Sequence, residues 1–144
     1  GKAANIFRFV ESLDSLKLAH KLNLGRKLKN GPLQVLLQVD LGHEENKYGI
    51  SQENILGVAR KISELPQLRI AGLMTLPPYF KDPEQARPYF RNLHKLAESI
   101  SRQNLSNISM DVLSMGMSHD FEVAIEEGST MVRIGTAIFG SRKP

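Results

Sequence analysis

Apolar runs that alternate with helical patterns constrain the fold of this chain more than any other feature. The run LQVLLQVD, residues 33–40, is almost continuously apolar, as expected for a parallel strand buried on both faces. Further strand-like runs occupy residues 6–10, 68–74, 110–116 and 130–135, with amphipathic helical patterns between them. Ser51 is a predicted cap of the helix that follows it, and Asp82 before Pro83 is a predicted N-cap. Regular alternation of this kind predicts an α/β fold with about five parallel strands, either a small open sheet or part of a (β/α) barrel.

Length and composition indicate one globular domain. The chain has 144 residues, of which 41% are hydrophobic, and this is enough for one domain with its own core. It contains no cysteine, no histidine spacing typical of a metal site and no apolar run long enough to cross a bilayer. We therefore expect no metal and no membrane partner. A cytoplasmic location is the default expectation because the sequence shows no signal-peptide pattern.

Basic residues are concentrated at the start of the chain. Residues 1–31 contain seven Lys or Arg and two acidic residues, whereas the whole chain has a net charge of +4. A basic patch can attract nucleic acid. Here the basic residues alternate with leucines at helical spacing and lack interleaved aromatic residues, which favours a solvated helix face. We expect no nucleic-acid partner; a nucleic-acid-binding module that uses this basic helix is the alternative from another functional class.

Two loops near the end of the chain have the residues of an anion site. Ligands of parallel α/β folds bind at the carboxyl ends of the strands. Gly116 would let the backbone approach a ligand there, and Ser118 at a predicted helix start would offer its hydroxyl. The amides of Gly135 and Thr136 after the next strand could complete the site. The alternative, equally supported by spacing alone, is that Ser118 only caps its helix and Gly135 only turns the chain.

Arg133 is the one charged residue in the apolar strand Met131–Ile134. A buried arginine needs a partner, because an unpaired buried charge is costly. One interpretation is a structural ion pair with Glu126, Glu127 or Asp111. The other is a fixed cation beside the ring or the carboxylate of a ligand.

Lys47 and Met74 are weaker candidates at other strand ends. Lys47 lies in the loop Asn46-Lys47-Tyr48-Gly49, where an exposed lysine is the simpler interpretation. Met74 ends a predicted strand and is either a core residue or part of an apolar wall for a flat ligand.

The terminal segment LSMGMSHDFEVAIEEGSTMVRIGTAIFG, residues 113–140, resembles the C-terminal signature of the pyridoxal phosphate homeostasis proteins. The segments VLLQVDLGHEENKYGI, residues 35–50, and LPQLRIAGLMTLPP, residues 65–78, resemble upstream parts of the same family. A more distant similarity extends to the barrel domain of alanine racemase, which has a Met-Val-Arg-x-Gly strand end at the same separation from an earlier serine.

This resemblance implies a (β/α)₈ TIM-type barrel that binds pyridoxal 5′-phosphate. Ser118, Gly135 and Thr136 would hold the phosphate, and Arg133 would lie near the ring nitrogen or the phosphate edge. The remaining candidates for the cofactor site are Gly116, Met74 and Lys47. The family's Schiff-base lysine lies in a Ser-Lys-Thr motif that has no match here, so we expect residues 1–144 to form the C-terminal part of a single cofactor-binding barrel domain, without the N-terminal strands.

The resemblance also implies a carrier protein for intracellular pyridoxal phosphate homeostasis, with no catalytic residues and no turnover. Pyridoxal-phosphate-dependent apoenzymes would be its candidate partners. The alternative is a fragment of an amino-acid racemase or decarboxylase with the same barrel. Because an incomplete barrel exposes strand edges, we expect the chain to self-associate.

Overall fold

A single curved sheet of parallel strands organises the chain. The computed structural model describes residues 2–27, 31–42 and 48–140. The strand order is β1-β2-β4-β5-β6, and the short β3 pairs with β2. All five pairings are parallel, as the apolar runs predicted. The strands are β1 (Phe9–Leu13), β2 (Leu33–Asp40), β3 (Ile50–Ser51), β4 (Leu68–Thr75), β5 (Ile108–Met117) and β6 (Met131–Arg133).

Among the described residues, helices follow every strand except β2, and the longer helices cover one face of the sheet. Amphipathic α3 and α4 place their apolar residues against the strands, as their 3.6-residue periodicity predicts. No helix among the described residues has the length and apolar character that a membrane span requires. The helices are α1 (Lys2–Ile6), α2 (Leu16–Gly25), α3 (Ile55–Ser63), α4 (Arg87–Ser101), α5 (Phe121–Glu126) and α6 (Thr136–Phe139).

The first strand begins three residues later than the sequence predicted. Ile6 ends α1, and β1 starts at Phe9. The guanidinium of Arg26 donates hydrogen bonds to the carbonyl oxygens of Ala4 at 2.6 Å and Phe7 at 2.9 Å. These bonds satisfy carbonyls at the C-terminal end of α1. Because they come from a residue far along the chain, the local apolar pattern could not predict them.

Helix starts were predicted with mixed success. The carboxylate of Asp82 accepts a hydrogen bond from the amide of Glu84 at 3.0 Å, which confirms Asp82 as an N-cap, although the first turn, Pro83–Ala86, is 3₁₀ rather than α. Ser51 was expected to cap α3, and this was wrong. Ser51 pairs with β2 in β3, and Asn54 is the residue that precedes the helix.

The two faces of the sheet have different environments. The convex face packs against the helices and contains the main core, including Leu37, Leu73 and Phe90. The concave face has a small separate cluster of Leu36, Ala71 and Met74, with Phe9 and Val112 partly buried beside it. Polar residues at the carboxyl ends of the strands form the candidate site described below.

The curvature of the sheet is shown by one hydrogen bond across its concave face. The hydroxyl of Ser114 on β5 lies 3.0 Å from a carboxylate oxygen of Glu11 on β1. Strands β2 and β4 lie between these two strands. In a flat sheet three interstrand spacings would separate them by roughly 14 Å. The sheet therefore curls into a barrel segment, which confirms the prediction of a partial TIM-type barrel. The described residues form six strands, one more than predicted, because they include the two-residue β3.

Candidate functional site

Ser118 joins the loops that follow β5 and β6. Its hydroxyl oxygen accepts hydrogen bonds from the amide nitrogens of Gly135 at 3.0 Å and Ala137 at 3.2 Å. It does not cap its own helix, because the residue preceding α5 is Asp120. The interpretation of Ser118 as a cap of that helix is therefore wrong. The hydroxyl and the two amides instead form a small cluster at the carboxyl end of the sheet, which we call the amide cup.

The turn that contains Ser118 is stabilised by Asp120 and by close packing at Gly116. A carboxylate oxygen of Asp120 accepts a hydrogen bond from the amide of Met117 at 2.7 Å. Gly116 has a φ of +93°, a conformation that favours glycine, and a Cβ there would lie 2.6 Å from the Cβ of Ala124. Gly116 thus lets α5 pack closely against the end of β5, and this packing orients the Ser118 turn.

Gly135 and Thr136 lie at the open surface of the amide cup. Gly135 immediately precedes α6, and Thr136 is the first residue of that helix. No described atom lies within 4 Å of the position that a Cβ on Gly135 would occupy, and φ at Gly135 is negative. The fold therefore does not require glycine at position 135, whereas it does require glycine at position 116.

Arg133 crosses the concave face beside the amide cup. One guanidinium nitrogen donates a hydrogen bond to the hydroxyl of Ser114 at 2.5 Å, and the other donates to the carbonyl oxygen of Thr75 at 2.9 Å. The expected ion pair with Glu126, Glu127 or Asp111 is absent from the described residues. Asp111 is exposed on β5. The carboxylates of Glu126 and Glu127 bind Arg87 on the helical side of the sheet, whereas Arg133 points to the concave side.

Burial and nearby carboxylates shift the pKa of Arg133 in opposite directions. Burial lowers the pKa of Arg133 because the charged form loses solvation, and the carboxylates of Glu11 and Asp120 partly oppose this effect. The side chain stays protonated near neutral pH, since the ordinary pKa of an arginine lies far above 7. The structure therefore provides a fixed positive charge next to the amide cup.

Met74 lies on the same face, at the level of Ser114. It is 5% exposed, and its Cα pairs in register with that of Ser114. Met74 thus belongs to the small concave cluster and directly precedes Thr75, whose carbonyl accepts from Arg133. The predicted site residue Lys47 lies outside the described residues.

Sequence reasoning missed Glu11, Ser114 and Thr75, which hold Arg133 in place. The signal available was weak, because Glu11 and Ser114 share their strands with other polar residues, and Thr75 contributes only its backbone carbonyl. Glu11 and Ser114 lie at positions that face the same side as Phe9 and Val112. The alternation of strand residues could therefore have placed both side chains on the concave face. Only the curvature of the sheet shows that they meet.

Other parts of the described chain fit a binding site less well. A cleft of about 620 Å³ lies at the amino ends of β1 and β2, lined by residues that include Arg8, Arg26 and Gln34. That is the end of the sheet opposite to Ser118, and ligands of parallel α/β folds bind at the carboxyl end. No group of three or more potential metal ligands was found within residues 2–27, 31–42 and 48–140.

Only some of the basic side chains in the N-terminal segment are exposed to solvent. Lys17 and Lys21 are exposed on α2, as a solvated helix face predicts. Arg26 is 7% exposed and donates to backbone carbonyls, so its guanidinium is engaged inside the protein.

A family model and several named proteins match the sequence of this chain. The sequence model of the family described as alanine racemase, N-terminal domain, matches residues 2–143. A pyridoxal phosphate homeostasis protein of Aquifex aeolicus is 49% identical over 135 residues, which cover 93% of this chain and 58% of that protein. The protein of the same name from Haemophilus influenzae is 43% identical over 139 residues, covering 96% of this chain and 58% of that protein. The chain thus spans less than two thirds of the length of these relatives.

A solved structure agrees with both the sequence and the fold. PipY of Synechococcus elongatus with pyridoxal phosphate bound superposes with a TM-score of 0.85 at 29% identity. The superposition covers 96% of this chain and 64% of the PipY chain. The resemblance recognised in the terminal motif is therefore confirmed, and so is the alanine-racemase-like fold.

Proposed function

This chain belongs to the family of the alanine racemase N-terminal domain, and we propose that it forms the phosphate- and ring-binding part of a pyridoxal 5′-phosphate site. The names of the relatives and the cofactor in the PipY structure support this assignment. We also propose that residues 1–144 are one part of a single barrel domain, since the relatives are longer than the chain.

The observation that carries the proposal is the amide cup of Ser118, Gly135 and Ala137. A phosphate accepts hydrogen bonds from amides and hydroxyls, and in (β/α) barrels it is often bound by the loops that follow the last strands. The phosphate would take over the two amides that now bind Ser118, while the Ser118 hydroxyl turns to donate to it. The hydroxyl of Thr136 would be a further hydrogen-bond donor to the phosphate at the amide cup. An open flank at Gly135 leaves room for this approach.

Arg133 and Met74 are proposed to contact the ring of the cofactor. The Arg133 guanidinium would lie near the ring nitrogen, and Met74 would form an apolar wall beside the ring. Pyridoxal phosphate, when bound, supplies an aldehyde that reacts with amines and a ring that withdraws electrons when its nitrogen is protonated. A cation beside that nitrogen disfavours the protonation and so weakens the ring as an electron acceptor.

We therefore propose a carrier role in pyridoxal phosphate homeostasis rather than an enzymatic one. The relatives are named for homeostasis. Pyridoxal-phosphate-dependent apoenzymes are the proposed recipients, and the proposed location is the cytoplasm. Self-association is a further proposal, based on the sheet edges at β1 and β6, the outermost strands of the described sheet.

The proposal can be tested with the full-length gene product. Pyridoxal 5′-phosphate should give a saturable new visible absorption band, and borohydride should abolish the band and add one cofactor mass to the protein. Pyridoxine 5′-phosphate, which lacks the aldehyde, is the matched control and should add no mass. No band and no added mass would contradict the proposal. Rapid racemisation of alanine by the same protein would favour the racemase alternative over a carrier.

A further inference from the structure

A line of three polar side chains crosses the concave face behind the proposed ring position. Arg133 on β6 donates to the hydroxyl of Ser114 on β5 at 2.5 Å, and that hydroxyl lies 3.0 Å from the carboxylate of Glu11 on β1. The line connects the two outermost strands of the described sheet. The second guanidinium nitrogen is held by the carbonyl of Thr75 on β4 at 2.9 Å. Four strands of the sheet thus contribute to the position of one guanidinium.

The chemistry of these groups fixes the direction of the hydrogen bonds. An arginine side chain can only donate, so the Ser114 oxygen accepts from Arg133. The single hydrogen of the hydroxyl must then point to Glu11, whose ionised carboxylate only accepts. Ser114 is fully buried, so loss of either partner leaves a polar group there that costs free energy.

Glu11 affects the orientation of Arg133 rather than its charge. The carboxylate raises the pKa of Arg133 against the lowering by burial. An arginine is protonated at neutral pH with or without such help, because its ordinary pKa lies so far above 7. What the carboxylate adds is a second anchor for the Ser114 hydroxyl, which has one rotatable bond and would otherwise be free to turn.

The guanidinium held in this way lies beside the amide cup, not within it. It bonds to Thr75 on β4, whereas Gly135 and Ala137 follow β6, and β5 lies between those strands. Two interstrand spacings amount to roughly 10 Å. A ligand whose phosphate sits in the cup would extend its ring across β5 toward the guanidinium. Among the described residues, no acceptor other than Ser114 and Thr75 bonds the guanidinium, so further N–H groups can reach a ring.

We propose that Glu11 and Ser114 are positioning residues, which hold the Arg133 guanidinium toward the ring nitrogen of a phosphorylated pyridine bound at the amide cup. Glu11 acts through the Ser114 hydroxyl and does not touch the ligand. This inference rests on the proposed function and extends it to two residues of the concave face.

The test compares two ligands in the full-length gene product. One ligand is pyridoxal 5′-phosphate, and the other is its deaza analogue, in which a CH group replaces the ring nitrogen. The variants are Ser114→Ala, Glu11→Ala and the double variant. Glu11→Gln is the conservative rescue, because its amide oxygen can still accept the Ser114 hydrogen. Asp111→Asn, an exposed carboxylate on β5, is the matched control.

Each single variant should bind pyridoxal 5′-phosphate about fivefold more weakly, the size expected for the loss of one hydrogen-bonded constraint. Binding of the deaza analogue should not change. The double variant should be no weaker than either single variant, since both act through one chain of bonds. Glu11→Gln should remain within about twofold of the unmodified protein, and Asp111→Asn should match it. Glu11 is only half-buried, so Glu11→Ala tests the proposal even where Ser114→Ala fails to fold.

Three results would overturn the positioning role. They are equal losses for both ligands, additive losses in the double variant, and unchanged affinity for pyridoxal 5′-phosphate in Glu11→Ala. Failure of the proposed function is distinguishable from these, because in that case the unmodified protein would not bind pyridoxal 5′-phosphate at all.

Discussion

The hydroxyl oxygen of Ser118 lies 3.0 Å from the amide nitrogen of Gly135, a residue 17 positions later in the chain. The first belongs to the turn after β5 and the second to the turn after β6. One hydroxyl therefore sets the distance between two neighbouring loops at the carboxyl end of the sheet.

Removal of the Ser118 hydroxyl should weaken cofactor binding more than it weakens the fold. Ser118→Ala deletes a proposed phosphate contact, and hydrogen bonds to charged groups contribute about 1.5–3 kcal/mol, which corresponds to a loss of about tenfold or more in affinity. A titration with pyridoxal 5′-phosphate measures this loss. Ser101→Ala, at an exposed position in α4, is the control. Affinity within twofold of the unmodified protein would rule out Ser118 as a phosphate ligand.

Gly135 and Gly116 should respond differently to the same substitution. Gly116→Ala places a Cβ 2.6 Å from that of Ala124 at a φ of +93°, so it should lower the free energy of unfolding by about 1–3 kcal/mol. Gly135→Ala meets no described atom and should cost less stability, yet it should weaken binding of pyridoxal 5′-phosphate because the methyl group narrows the cup. Urea unfolding and ligand titration separate the two effects. A reversed pattern would mean that Gly135 serves the fold.

Gly72 should be indispensable for the close approach of β4 and β5. A Cβ at this position would overlap the carbonyl oxygen of Val112 on the neighbouring strand. Backbone cannot yield as a flexible side chain can, so Gly72→Ala should cost about 3 kcal/mol or more, or prevent folding. Gly57→Ala is the opposite control: this residue is exposed in α3, and alanine there should stabilise the protein by about 0.8 kcal/mol. Similar unfolding midpoints for both variants would contradict this account.

Acid should destabilise the protein partly through Glu127. Hydrogen bonds from Arg91 and Arg87 lower the pKa of Glu127 below its ordinary value of 4.5. A carboxylate with a lowered pKa in the folded state contributes stability that is fully present above pH 4.5 and is lost as the pH falls through the lower folded value. The thermal unfolding midpoint should therefore drop below that pH.

Glu127→Gln should have a lower midpoint at neutral pH and a flatter decline in acid. Glu122→Gln, in the exposed part of α5, is the matched control and should follow the unmodified protein. An acid decline that is identical in Glu127→Gln and the unmodified protein would exclude Glu127 as a source of the pH dependence.

The sequence predicted the sheet well because its signals are local. Continuous apolar runs identify buried parallel strands, and β2 and β4 fall close to their predicted bounds. Asp82 was identified as an N-cap because the Asp-Pro pair acts within one turn. The start of β1 was misplaced because Arg26, 22 residues after Ala4, stabilises the end of α1.

The candidate site was predicted only in part. The terminal motif identified Ser118, Gly135 and Arg133, which all lie at the carboxyl ends of β5 and β6. It could not identify Glu11, which lies 103 residues before Ser114. That contact exists only because the sheet curves, and curvature is a property of all the strands together. The partners expected for Arg133 were wrong for the same reason, since the side of the sheet to which a strand residue points depends on bulges such as the register shift in β5.

The most direct test of the central claim is an amide NMR titration of the full-length gene product with pyridoxal 5′-phosphate. The account predicts that the amide signals of Gly135 and Ala137 shift most strongly and saturate together, because their hydrogen bonds pass from the Ser118 hydroxyl to the phosphate. Inorganic phosphate should move the same two signals at higher concentration. Saturable binding that leaves both amides unshifted would contradict the assignment of the amide cup as the phosphate site.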